Sequence, residues 1–353
     1  MKYLITGGAG FLGSNLSKRA LDNGDSVVII DNLSRTGSEA NLKWLSESGD
    51  LTFYNCDIRD FDKIRSIIKE HKPQVIFHLA GQVAMTKSLE DPISDFQTNA
   101  LGTLNLLEAT RLFSPDSTVI YSSTNKVYGD LKKYHYKEND TRYICEEYPN
   151  GFDEGLPLYF STPYGCSKGS ADQYIIDYFK TYGLKTIAFR HSSMYGGRQF
   201  ATYDQGWIGW FVRKALDIYK GDYPKNLTVS GTGKQVRDIL HINDVVDLYF
   251  KSANMIDEIA GNAFNIGGGI DNSISIIELF KYLESNLKIT IDYSNIKERI
   301  NDQRVYISNI GKANRFISWR PEIPLKEGLR KMITWTKDLV DENNSHQKKK
   351  SSR

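Results

Sequence analysis

Apolar and polar positions alternate in blocks along the first half of the chain. Five short, β-branched, almost continuously apolar runs stand out: KYLIT (2–6), SVVIID (26–31), LTFYNCDI (51–58), QVIFHLA (74–80) and STVIYSST (117–124). Runs of this kind are strands buried on both faces of a sheet. Between them lie stretches with helical spacing at Gly13–Asn23, Phe61–His71 and Ile93–Leu112. A further long helix is predicted over Tyr164–Tyr182, followed by a sixth strand, KTIAFRH (185–191). Strands that alternate with helices imply a doubly wound α/β fold: a parallel sheet, right-handed crossovers and helices on both faces.

The rhythm changes near residue 192. The rest mixes an aromatic segment (201–211), helices near 209–219, 245–255 and 275–285, and short strands at LTVSG, VRDILH and FNIGGG. The expected organisation is a first lobe over 1–191, a smaller mixed α/β lobe over mainly 192–341 with crossings back to the first, and a disordered polar tail over 342–353. Within it the run Tyr203–Trp210 is expected to be core, as aromatic stripes usually are, with a partner surface as the alternative.

Composition narrows the class. The chain of 353 residues is 40% hydrophobic and 25% charged, with a formal charge of +2. The apolar content is too high for a disordered chain, and no apolar run is long enough to span a membrane. The charge gives no field suited to nucleic acid. No leader segment is expected from the first residues, which enter a strand and a glycine loop at once. Cys56, Cys145 and Cys166 are odd in number and far apart, which points to reduced thiols and a cytoplasmic setting.

The glycine loop carries the first chemistry. Gly7-Gly-Ala-Gly10-Phe-Leu-Gly13 follows the first strand and opens the first helix. Glycines there permit a tight turn and close approach of the backbone to a pyrophosphate, which the helix N-terminus attracts. Asp31 ends the second strand, where an acid accepts from a ribose 2′-hydroxyl and repels a 2′-phosphate. NAD is therefore expected over NADP, with Arg35 as a mild counter-signal.

The reactive pair is Tyr164 and Lys168, four apart on one helix face. A phenol titrates near 10, so it is about three pH units, or about 4 kcal/mol, too weak a base at neutrality. A nearby ammonium and a cationic nicotinamide both favour the phenolate. The same spacing recurs at Tyr128/Lys132 and Tyr293/Lys297, where no chemistry is expected. Only Tyr164 begins a long helix after the fifth strand, on the side where doubly wound sheets bind ligands. That strand ends in Ser122-Ser123-Thr124, so Thr124 is placed to donate to a substrate oxygen while Tyr164 takes its proton.

These motifs together resemble the extended short-chain dehydrogenase/reductase family. The likeness rests on the glycine loop, Asp31, Asp57-Ile58, His78-Leu-Ala-Gly-Gln82, Asn99, the Thr124/Tyr164/Lys168 triad and Val236-Arg-Asp-Ile-Leu-His241, and runs to about residue 340. HLAGQVAMT (78–86), YSSTNKVYGD (121–130), PYGCSKG (163–169) and RHSSMYGGRQFATYDQGW (190–207) are similar to the branch that epimerises CDP-linked 3,6-dideoxyhexoses at C2.

The resemblance implies an enzyme that retains NAD and returns it unchanged. It places Gly7, Gly10, Phe11, Leu12, Asp31, Asn32, Ser34, Arg35, Asp57, Ile58, Leu79, Ala80, Gln82, Asn99, Ser122, Tyr164, Lys168 and His191 around the cofactor. It places Ala84, Met85, Thr124, Asn125, Lys126, Ser193, Arg237, Arg299 and Asp302 around a nucleotide sugar. No metal is expected, because six scattered histidines show no ligand spacing. The segment 131–163 is expected to cover the sugar, and a dimer or tetramer is implied. Another nucleotide-sugar reaction, such as 4-epimerisation of a UDP-hexose, is the alternative. A 4,6-dehydratase is disfavoured, since Asn125-Lys126 stands where dehydrating relatives carry Asp-Glu.

Overall fold

A computed structural model describes residues 1–49, 51–222 and 227–351, with side chains placed through residue 341. Seven parallel strands form the central sheet: β1 (Lys2–Thr6), β2 (Ser26–Asp31), β3 (Leu51–Asn55), β4 (Val75–His78), β5 (Thr118–Thr124), β6 (Thr186–His191) and β7 (Ala263–Ile266). Their order across the sheet is β7-β6-β5-β4-β1-β2-β3. Each predicted strand of the first half is present, with ends trimmed by up to three residues.

The side-chain alternation of these strands explains their continuous apolar sequences. Tyr3, Ile5, Val27, Ile29, Phe77, Ile120 and Phe189 enter one core; Leu4, Val28, Ile30, Ile76, Val119 and Tyr121 enter the other. A strand with a core on each face has no polar side to show. The first core is closed by Phe11–Asp22 and Ile242–Asn254, the second by Phe61–His71, Gly102–Phe113 and Thr162–Tyr182.

Two returns of the chain are less legible in sequence. FNIGGG reads as part of the second lobe, yet Ala263–Ile266 pairs with β6 and completes the first sheet. Ile242–Asn254 likewise packs Val245, Leu248 and Tyr249 beneath that sheet. Helices at Ser38–Ser46 and Met85–Glu90 are additional to the predicted ones. Both are short, and Ser38–Ser46 has only a weak apolar stripe.

The smaller lobe pairs Val236–His241 with Ser193–Tyr195, Ser273–Ser275 and Val305–Tyr306. The helices Trp207–Tyr219, Ile276–Leu287 and Leu325–Ser351 pack around its own core, which contains Phe211, Leu216, Leu279, Leu283 and Met332. Ser275 and Glu278 form a reciprocal cap that starts the second of these helices. The last helix runs on to Ser351, so residues 342–351, expected as a disordered tail, are helical in backbone, while 352–353 lie outside the described residues.

Candidate active site

The strand order reverses between β1 and β4, and at such a point the loops at the carboxyl ends diverge to leave a crevice. The glycine loop lies there. Gly7 has φ +69°, and a Cβ on it would lie 2.9 Å from the Ala80 nitrogen. A Cβ on Gly13 would lie 2.1 Å from the Gly7 carbonyl oxygen, so the first helix can start that close only without a side chain. The crevice is about 200 Å³ and is lined by Gly7, Gly10, Phe11, Leu12, Asp31, Asn32, Ser34, Arg35, Asp57, Ile58, Leu79, Ala80 and Ser122. Thirteen of the expected cofactor residues thus share one groove.

The donors and acceptors along it suit a dinucleotide. The Asp31 carboxylate accepts from the backbone N–H of Ala9 (3.0 Å) and of Leu33 (2.8 Å), which fixes its orientation. Arg35 is engaged by Gln205 and faces Asp204 at 4.0 Å, so its charge is already answered. This removes the one sequence signal that favoured a 2′-phosphate. Asp57 accepts from Arg59 Nε (2.9 Å) and from Asn32 (3.0 Å). The Arg59 hydrogen bond is the largest influence and holds the Asp57 pKa down to about 2.

Beside this groove lies a cavity of about 360 Å³. Phe11, Leu79, Val83, Ser122, Met194, Gln199 and Gln205 border both. Thr124, Tyr164, Lys168 and His191 stand where the two meet, on the cavity side. Lys168 Nζ donates to the Ser122 carbonyl (2.6 Å) and lies 4.2 Å from the centre of the Tyr121 ring. Burial pushes the Lys168 ammonium down to about 7, against the opposing pull of Asp172 and Asp95.

Burial also pushes the Tyr164 phenol up to about 12; a hydrogen bond with Thr124 opposes this and the charge of Asp95 adds to it. The phenol is therefore held as an O–H at neutral pH. It acts as a base only when positive charge stands beside it.

Three of the expected residues, Gln82, Ala84 and Asn99, line neither space. Asn99 sits in a π-helical turn, Gln97–Leu101, and is buried away from the groove. Its amide accepts from the Gln82 N–H (2.8 Å) and donates to Gln82 O (3.0 Å) and Ser167 Oγ (3.0 Å). It braces the 80–82 loop against the helix that carries Tyr164. Gln82 turns its side chain to Ala84 O and Asp95 (both 2.8 Å) and borders neither space. Ala84 is fully buried beneath that loop, so it is no part of the cavity wall.

Met85, Asn125, Lys126, Ser193, Arg237, Arg299 and Asp302 do border the cavity. The Ser193 hydroxyl accepts from Trp207 Nε1 (3.1 Å), and Asn125 donates to Gln303 (3.1 Å). The covering segment is not the expected one. Residues 131–163 form a hairpin, Tyr136–Glu138 with Tyr143–Cys145, and pack on Val236 and Val305–Ile307. The cavity is instead walled by Tyr203, Gly206, Trp207, Trp210 and Phe211. The aromatic run is both lining and core at those positions, since Phe211 belongs to the second lobe's core and Trp207 and Trp210 pack against it while bordering the cavity.

His191 Nε2 lies 3.0 Å from the Tyr249 hydroxyl, and its ring stacks on that of Tyr249. Burial first, then Lys168, lowers the His191 pKa to about 3; the same causes take buried His78 to about 3. Burial and Lys331 take His241 to about 4. In the unfolded chain these histidines protonate near 6.5, so below that pH the unfolded state binds more protons. Stability is expected to fall as pH drops from about 6.5 to about 3. Urea unfolding across that range checks it; a flat profile would contradict the burial of these rings.

Comparison with known proteins agrees with this geometry. A sequence model of the family described as GDP-mannose 4,6 dehydratase matches residues 4–332. The chain is 53% identical over 339 residues to the CDP-paratose 2-epimerase of Salmonella typhi, covering 96% of this chain and 100% of that protein. It resembles the UDP-glucose 4-epimerase of Thermotoga maritima, solved with UDP-glucose, at a TM-score of 0.80 and 28% identity over 96% and 100% of the two chains. It resembles the UDP-glucuronic acid 4-epimerase of Bacillus cereus, solved with UDP-glucuronic acid and NAD, at 0.81 and 26% over 96% and 100%. The chain belongs to the GDP-mannose 4,6-dehydratase family, within the extended short-chain dehydrogenases/reductases.

Proposed function

We propose that this protein is an isomerase that interconverts CDP-paratose and CDP-tyvelose by epimerising C2 of the sugar. The observation that carries this reading is the 53% identity to a CDP-paratose 2-epimerase along the whole of that relative, joined to an intact Thr124/Tyr164/Lys168 group. The UDP-hexose epimerases are more distant. Its product would serve the synthesis of lipopolysaccharide O-antigen in the cytoplasm. No helix among the described residues is long and apolar enough to cross a membrane.

NAD is the cofactor. The groove would hold it with glycine backbone at the pyrophosphate and Asp31 at the adenosine ribose, and Lys168 would stand at the nicotinamide end. When bound, NAD accepts a hydride from the sugar carbon and returns it to the other face. Tyr164 removes the hydroxyl proton as the 2-keto sugar forms and gives it back as the new hydroxyl forms. Thr124 donates to the same oxygen. The ketose turns over between the two steps, so the nucleotide end must be held firmly and the sugar loosely.

Incubation with CDP-paratose and no added NAD, followed by NMR of the sugar C2 signals, tests the reading. CDP-tyvelose is expected to appear. Its absence from protein that carries NAD would move the assignment to another nucleotide sugar.

The quaternary state belongs to the same proposal. Leu89, Ile93, Phe96 and Tyr174 are exposed on the helices Met85–Glu90, Pro92–Phe96 and Thr162–Tyr182, which pack on one another. Ile93 is 70% exposed, so a charge there does not disturb the core. We expect a homo-oligomer joined through this face, and Ile93→Glu is expected to lower the mass seen by light scattering toward that of a monomer. An unchanged mass would place the interface elsewhere.

A further inference from the structure

Lys126 is a buried ammonium that the reaction leaves without a task. It lies two residues beyond Thr124 on a short turn of helix, Asn125–Tyr128, and lines the same cavity. No described residue accepts a hydrogen bond from its Nζ. The facing carboxylate oxygen, Asp302 Oδ1, is 3.5 Å away. That oxygen already accepts from Arg237 (2.7 Å) and from the Gln303 N–H (3.0 Å). Arg299 borders the same end and reaches the Tyr203 carbonyl (3.4 Å).

Three cations therefore converge with one carboxylate, an excess of two positive charges. Lys126 shares its one carboxylate with two guanidiniums, and burying an ammonium so partly compensated is costly. Burial, with Arg237 and Arg299 adding to it against Asp302, lowers the Lys126 pKa to about 8. A ligand with two negative charges would cancel the excess, and a diphosphate diester carries two. The order along the cavity then matters. Lys126 stands two residues from Thr124, its backbone N–H donating to the Thr124 hydroxyl (3.3 Å), while Arg237 holds the same Asp302 oxygen that faces Lys126.

We propose that Lys126 holds the phosphate nearest the sugar and so anchors the nucleotide while the ketose turns over. This rests on reading the cavity as a CDP-sugar site. Lys126→Met tests it, with binding of CDP and of CMP measured by calorimetry on protein carrying NAD. CMP lacks the sugar-side phosphate. Loss of one charge-assisted hydrogen bond predicts CDP binding weaker by roughly 10- to 100-fold. CMP binding is expected to stay within about twofold, which also shows the variant to be folded, and Lys126→Arg should recover part of the CDP loss. Unchanged CDP binding, or an equal loss for CMP, overturns the proposal. A parent protein that binds no CDP overturns the nucleotide-sugar reading itself.

Discussion

Tyr164→Phe is expected to reduce kcat by about 10²- to 10⁴-fold while fold and bound NAD are retained. Those are the usual returns from a positioned acid–base group. The phenol lies within the cavity beside Thr124 and Lys168, and it is the hydroxyl that the proposed reaction uses as base and acid. Thr124 is an alcohol, and Lys168 already donates to the Ser122 carbonyl. The phenol itself is far from ready. With a pKa near 12 it is about five pH units from ionising at neutrality, which corresponds to roughly 7 kcal/mol. Positive charge must come from Lys168 and the cofactor together, so removing the hydroxyl discards what the rest of the site is arranged to activate. Its loss should cost little stability, because Phe keeps the ring. Turnover by NMR and NAD released by acid give the two readouts. Variant turnover within tenfold of the parent would remove Tyr164 from the acid–base role.

Asp172→Ala is expected to cost about 3–5 kcal/mol of stability, the largest single effect we anticipate on the fold. Asp172 is fully buried one turn past Lys168. It accepts from Arg190 at two sites (2.7 and 3.1 Å) and from the Ser123 hydroxyl (2.7 Å). Arg190 also donates to the Tyr128 hydroxyl (3.0 Å), which donates to Asn265 (2.7 Å). The pair thus ties the Tyr164 helix to β5, β6 and β7 directly behind Thr124 and His191. Removing the acid leaves a buried guanidinium uncompensated. Removing both charges does not, so Asp172→Leu/Arg190→Met should recover much of the loss. Denaturant unfolding of the three proteins decides it; a double variant as unstable as Asp172→Ala would mean that packing, and not the lone charge, is at fault.

The two halves of the site were unequally legible. The cofactor groove lies along local signals: a glycine loop between a strand and a helix, and acids at strand ends. Asp31, Asp57 and the loop residues fall where those signals put them. Gln82 and Asn99 carry family motifs equally well, yet their amides are consumed in bracing the 80–82 loop. A motif records that a residue is needed, not which neighbour needs it.

The substrate side depends on distant segments. Trp207 and Trp210 read as core and do pack against it, but aromatic spacing on a helix gives no sign that the same side chains also border a cavity. Met194, Arg198 and Phe200 border the cofactor groove from the far side of the sequence, and no local pattern marks them. The only hint was the 190–207 stretch that carried the resemblance.

By itself, the sequence determined the parallel sheet, the dinucleotide loop and the Tyr164/Lys168 pair. Each follows from contacts within a few residues: continuous apolar runs, glycines at a turn, and i, i+4 spacing on a helix. The tertiary structure alone decided that Ala263–Ile266 closes the first sheet, that the aromatic run and not residues 131–163 walls the cavity, and that Arg35 is engaged by Gln205. It alone brought Lys126, Arg237, Arg299 and Asp302 to one end of that cavity. Those are pairings between segments far apart in sequence, fixed by which faces of two lobes bury together, and periodicity carries no record of that choice.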